Sequence, residues 1–331
     1  MRRLPPHAYF VGSAVFHYLG PAFAVLLFAR VSPLGVAWLR IVSAAVVFAA
    51  WRRPWRQLVA LDGHTRRLLV ALAAVFAGMN SCFYVAIDRL PLGTVTAIEF
   101  LPVILLAAIG VRTLRNGLAL VLAVPGVYVL TGVRFAHESI GIVFAFANAG
   151  LFALYIVLAH RLSRNRALDR IDGLAAAMLL AAVAITPIGG IAAARALNDP
   201  VAIGAGIGVG IASSVVPYVC DQLAMARLRR ATYSLLVALL PATATLIGVI
   251  VLAQLPGALD LLGVGLVVAA VAVHREAGAS AAGEEDAGDA QGPAGQRGPR
   301  RRLAGHQPAE QDRDHRNQVR EGSEAAGAHA A

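Results

Sequence analysis

The chain has 331 residues, 58% of them apolar and 15% charged, with a mean hydropathy of +0.68. Soluble globular domains average about 45–50% apolar and about 25% charged residues, so this composition excludes that class and points to a membrane protein. The formal charge of +10 comes from arginine without a single lysine, and its placement along the chain explains it with no need for nucleic acid as a partner.

In chain order, ten apolar segments approach the length that crosses a bilayer as a helix: roughly 8–29, 33–50, 68–87, 92–111, 116–133, 139–159, 171–191, 201–223, 231–253 and 258–273. Arg2 and Arg3 before the first give it the look of a secretory leader, but its apolar run is too long and no small-residue cleavage site follows. The third and fourth segments form a hairpin around Asp88-Arg89-Leu90-Pro91, with Pro91 and Gly93 marking the re-entry. Glu99 lies seven residues past Leu92, about 10 Å along the helix at ~1.5 Å per residue. A carboxylate at that depth in hydrocarbon is costly and has to face protein interior or a wet cavity. Cys82 and Cys220 fall within apolar segments and read as free thiols. Beyond His274, residues 275–331 hold one Leu, one Val and no aromatic. That composition cannot offset its ordering entropy and predicts a disordered cytoplasmic tail.

Arginine placement predicts orientation. The N-terminus and alternate loops carry Arg2, Arg3, Arg52, Arg53, Arg56, Arg66, Arg67, Arg112, Arg115, Arg161, Arg164, Arg166, Arg170, Arg227, Arg229 and Arg230; the other loops carry Arg30, Arg89, Arg134 and Arg195. This split of 16 against 4 puts both ends in the cytoplasm, with Trp51 and Trp55 as interfacial anchors. Ten spans divide into residues 1–135 and 136–274, two five-helix halves of opposite orientation. Arg89-Leu90 before Thr94 and Arg227-Leu228 before Thr232, each followed by a proline (Pro102, Pro241), form a weak internal echo. Inverted repeats of this kind hold a transporter's substrate near the bilayer midplane.

Polar residues within the spans are the candidates for binding substrate or proton. His17 shares a face of the first helix with Ser13 and Gly20. Arg40 enters the second helix from the same side as Glu99 and at similar depth, so the two are the natural ion pair. Asn80 and Tyr84 line one face of the third helix, Thr96 and Glu99 of the fourth, Asn148 and Tyr155 of the sixth, and Ser214, Tyr218 and Asp221 of the eighth. Pro217 and Pro241 free backbone groups that can act as ligands at broken helices. Each has a structural alternative: interhelical hydrogen bonding for Ser, Thr, Asn and Tyr, an interfacial pair with the Arg227 loop for Asp221, and a buried salt bridge for Glu99 and Arg40.

Gly35-Val36-Ala37-Trp38-Leu39-Arg40, Pro54-Trp55-Arg56, Gly78-Met79-Asn80 with Phe83-Tyr84, Pro91-Leu92-Gly93, Ala97-Ile98-Glu99-Phe100 and Pro217-Tyr218 together resemble carriers of the drug/metabolite transporter superfamily. Within its EamA-domain group the likeness is to the threonine/homoserine exporter type, over nearly all of residues 8–273. The resemblance implies a ten-helix, all-α inverted-repeat carrier of a cell membrane. Its cavity would be lined by helices 1–4 and 6–9, with helices 5 and 10 peripheral. The implied partners are a small-molecule substrate and the lipid bilayer, with a homodimer also expected. One departure stands out: such exporters carry a second Glu directly before the proline of the ninth helix, where this chain has Leu240-Pro241.

These readings converge on a secondary exporter of a small amino-acid-like metabolite, with a carrier of the same superfamily for another metabolite or drug as the alternative within the class, and with no cofactor and no metal. Proton exchange through Glu99 is the expected drive, because a chain without lysine cannot form a G-x-x-x-x-G-K-[ST] phosphate loop. The alternative of a membrane-embedded enzyme calls for a clustered metal or nucleophile constellation. The sequence contains no H-E-x-x-H, G-x-S-x-G or C-x-x-C motif.

Overall fold

The computed structural model describes residues 5–55, 61–110, 113–132, 138–163, 170–225, 227–228, 232 and 236–273. The tail 275–331, and the arginines 2, 3, 56, 112, 134, 164, 166, 229 and 230 used to orient the chain, lie outside them. The helices are α1 (Pro6–Leu27), α2 (Pro33–Arg52), α3 (Gly63–Ile87), α4 (Leu92–Gly110), α5 (Leu114–Gly132), α6 (Ser139–Ser163), α7 (Arg170–Ile185), α8 (Pro200–Gly210), α9 (Val216–Met225), α10 (Leu240–Leu252) and α11 (Ala258–Val273). Among the described residues there is no strand. Seven helices are long and apolar enough to cross a membrane, and α4, α10 and α11 supply three shorter apolar stretches. Large apolar side chains such as Ile109, Val121, Ile191 and Leu261 stand exposed around the outside, the surface that hydrocarbon would cover.

Local chemistry sets the helix starts. Ser32 caps α2, accepting from the Gly35 N–H, with Pro33 at the first helical position. Asp199 caps α8 ahead of Pro200 and also accepts from Arg30 at 2.9 Å; that bond and the capping amides hold its carboxyl below the usual carboxylate range. Asp62 caps α3, accepting from His64 and Thr65, which starts the helix at Gly63, earlier than the apolar run from residue 68 predicts. Within the ninth predicted segment, 231–253, the described regular helix is Leu240–Leu252. Pro241 sits in its first turn, where the missing N–H costs nothing.

Two prolines loosen the second half. Pro187 falls in a π turn, Thr186–Gly190, that ends α7. Pro217 follows a second π turn, Ile211–Val215, which joins α8 to α9 as one bent element. Single π turns inside helices are often found at functional sites.

α3 packs along α6 and α7, and α1 along α8, α9 and α10. α2 lies against α7 and α8, and α4 against α6 and α10. α5 rests on α11, with α4 beside both. Ion pairs tie the ends: Arg52 to Asp172 at 2.6 Å between α2 and α7, and Arg30 to Asp199 between the end of α1 and the start of α8.

Candidate functional site

A cavity of about 170 Å³ opens between α1, α2, α3, α4 and α6. Pockets for drug-sized ligands run to about 300–1,000 Å³, so this one suits a small metabolite. Its polar lining is His17, Tyr18, Arg40, Asn80, Glu99, Asn148 and Tyr155, with Phe76, Met79, Phe83 and Phe152 as the apolar wall. Arg40 and Glu99 each lie seven residues into their helices, near the middle of spans of this length.

Arg40 is held on three sides. Its Nε donates to Ser214 Oγ at 3.2 Å, one Nη to the Ser213 carbonyl at 3.2 Å and the other to Asn80 Oδ1. The guanidinium also lies over the Tyr84 ring, 5.6 Å from its centroid, a cation–π arrangement. Asn80 in turn donates to the Phe76 carbonyl at 2.8 Å, which fixes its amide. The Ser213 carbonyl is available because Pro217, four residues on, has no N–H to bond it.

Close helix contact makes this socket. A Cβ on Gly210 would strike Ser43 and lie 2.7 Å from the Arg40 carbonyl oxygen. One on Gly20 would strike Ser213 and lie 2.9 Å from its backbone nitrogen. These two glycines let α1, α2 and the π turn approach until Ser213 and Ser214 reach the guanidinium. With Ala202 and Gly206, Gly210 completes a small-residue stripe at four-residue spacing, the pattern that packs membrane helices closely.

Glu99 stands elsewhere on the cavity wall, near Asn148, and is not in ion-pair contact with Arg40. The expected Arg40–Glu99 bridge is therefore corrected: neutral acceptors on α3 and the π turn have taken the guanidinium. Asn148 is fully buried with its side-chain amide beside Glu99, and its carbonyl oxygen has no hydrogen-bond partner. A buried acceptor without a partner is uncommon and calls for an explanation.

The other predicted residues divide into two groups. His17 is exposed to the cavity and stacks edge-on against Tyr18. Tyr155 lines it too, in an aromatic cluster with Phe76 and Phe152. Outside the lining are Thr96, buried with its hydroxyl on the Leu92 carbonyl, Tyr84 beneath Arg40, and Ser214, which meets the site only through Arg40. Tyr218 packs edge-on to Phe48, and neither it nor Asp221 is among the lining residues. The sequence reading missed Ser213, one position from Ser214, whose signal was Pro217 four residues later. It also missed Tyr18 and Pro21, next to His17 on α1.

The profile of the EamA-like transporter family matches residues 139–274. Over 254 residues, 76% of this chain and 84% of the relative, the sequence is 30% identical to the threonine/homoserine exporter RhtA of Escherichia coli (strain K12). It is 29% identical over the same shares to the threonine/homoserine exporter RhtA of Salmonella typhimurium (strain SL1344). A solved crystal structure shares the fold with a TM-score of 0.51 at 20% identity, over 81% of this chain and 97% of that one.

Proposed function

The chain belongs to the EamA-like transporter family of the drug/metabolite transporter superfamily, and on that premise we propose that it exports small amino-acid-like metabolites of the threonine and homoserine kind in exchange for protons. The observation that carries this reading is Glu99: an ionisable side chain at mid-span, on the wall of a metabolite-sized cavity, with no ion-pair partner. In its carboxylate form it attracts an ammonium group. Protonation from the outside cancels that attraction and releases the cargo, and loss of the proton to the cytoplasm restores it. Each cycle moves one substrate outward and one proton inward.

The proposed architecture is ten spans in two inverted five-helix repeats, 1–135 and 136–274, with both ends in the cytoplasm of a bacterial cell. The helix pairings support it. Exchanging α1 with α6, α2 with α7, α3 with α8–α9, α4 with α10 and α5 with α11 turns the α3–α6 contact into α1–α8/α9 and α4–α6 into α1–α10. The same exchange turns α3–α7 into α2–α8 and leaves α2–α7, α4–α10 and α5–α11 as their own mates.

The test is Glu99→Gln, which keeps shape and hydrogen bonding but removes the titratable charge. In vesicles with an imposed pH gradient the variant is expected to lose gradient-driven efflux of labelled threonine while retaining exchange. Undiminished proton-driven efflux in a well-expressed variant would overturn the mechanism.

A further inference from the structure

Resting on that reading of the cavity, we propose that Arg40 is a preformed receptor for the substrate's α-carboxylate and that cargo spans the cavity as a zwitterion, its ammonium on Glu99 and Asn148. A guanidinium carries five N–H donors in a rigid fork. Three are committed, Nε to Ser214, one Nη to Ser213 and the other to Asn80. That leaves one N–H on each terminal nitrogen of a side chain that lines the cavity. Two parallel N–H groups are what a carboxylate takes in a bidentate pair. The committed bonds hold the fork in place before substrate arrives, so little ordering cost remains for the binding step.

The part of the wall that carries Glu99 suits an ammonium. That group has three N–H donors and no acceptor. Glu99 offers a carboxylate and Asn148 an unpartnered carbonyl oxygen, while the Asn148 amino group lies beside Glu99 and holds it. Pro21 lines the same cavity and has no N–H to give the His17 carbonyl four residues before it, which supplies a further acceptor. Phe76, Phe83, Phe152 and Met79 leave an apolar wall for the side chain. The absent Arg40–Glu99 bridge thus becomes functional: the substrate completes it.

The experiment uses the full-length protein in vesicles and measures exchange of labelled L-threonine against unlabelled competitors. L-threonine and L-homoserine are expected to compete. L-threoninamide, which keeps the ammonium but has no carboxylate, and N-acetyl-L-threonine, which keeps the carboxylate but has no ammonium, are each expected to compete about 10- to 100-fold more weakly, the loss of one charge-assisted contact. Equal competition by threoninamide would overturn the Arg40 assignment and leave amino-acid export intact. Equal competition by the N-acetyl compound would overturn the Glu99–Asn148 half. Failure of all twenty standard α-amino acids and homoserine to bind, read by thermal shift of the purified protein, would remove both this assignment and the export reading. Arg40→Lys separates receptor from scaffold: it keeps the charge but lacks the fork, and is expected to raise the KM for threonine about 10-fold or more with the pH dependence of efflux unchanged. An unchanged KM in a folded Arg40→Lys variant would show that Arg40 only joins helices.

Discussion

Replacing Arg40 or Glu99 singly and together distinguishes a built socket from an ion pair. Arg40→Gln removes three hydrogen bonds, to Asn80, the Ser213 carbonyl and Ser214. Asn80 and Ser213 are 3% and 2% exposed, so their acceptors lose a charged donor in a place water reaches poorly. Bonds to charged groups are worth about 1.5–3 kcal/mol each, and water in the adjoining cavity recovers part of that. The net cost is about 3–5 kcal/mol, comparable to breaking a buried ionic contact, or a fall of about 5–9 °C in melting temperature for a protein of this size. Glu99→Gln breaks no contact of Arg40 and is expected to cost under about 1 kcal/mol. The double variant should then be no more stable than Arg40→Gln alone, because independent sites add. Membrane yield and thermal melting in detergent, on the same three variants, measure it. A double variant that recovers the stability lost in Arg40→Gln would prove the two side chains a structural pair and refute this account of the socket.

Other expectations follow from single positions. Gly210→Val forces a branched side chain against Ser43 and the Arg40 carbonyl, so it should cost about 1–3 kcal/mol by overpacking and weaken threonine binding, measured by melting and exchange. Tyr84→Phe keeps the ring under Arg40 and removes a buried hydroxyl beside Ser213 and the guanidinium; transport should persist, with stability changed by no more than about 1 kcal/mol. Ala253 ends α10 with a φ of 53°, so Ala253→Gly should stabilise by about 0.5–1 kcal/mol. Truncation after Arg275 should leave insertion and efflux intact, judged by membrane yield and vesicle assay, because the removed segment has no core-forming composition.

How much could be read beforehand depended on the range of the interaction. Apolar runs are local, so nine segments emerged within a few residues, and the Asp62 cap explains where the third boundary moved. Depth is also local: counting residues from the Pro33 and Leu92 ends set Arg40 and Glu99 at one level, and both line the cavity. Which groups bond to which is not local. The Arg40–Glu99 bridge failed because the guanidinium's acceptors come from Ser213 and Ser214, more than 170 residues away, brought in by a π turn and two glycine contacts that have no periodic signature. Pro217 was the legible part of that device, since a proline always withholds an N–H from the carbonyl four residues before it.

The cavity's charge balance rests on Arg40 and Glu99, the one arginine and the one carboxylate among its described lining residues. Leu240, which stands where the resemblance implies a second Glu, is half-buried against the apolar core and is not among them. Arg40 and an ionised Glu99 sum to zero, and under the proposed binding mode so does the pair with a zwitterionic amino acid between them. Closing a site around net charge is costly in a low-dielectric interior, so the neutral loaded state favours occlusion of zwitterions over free amines or carboxylates. On the proposed cycle, a proton on Glu99 would shift the loaded sum to +1 just as it removed the ammonium's partner, and both changes would favour release. The +1 would then stay on the empty carrier, so an inside-negative membrane potential would drive its return and add to the pH gradient. A second ionised carboxylate on the wall would make the loaded state −1 and reverse which guest is neutralised. Under the proposed binding mode, a wall with one guanidinium and one carboxylate therefore matches substrates with one positive and one negative group.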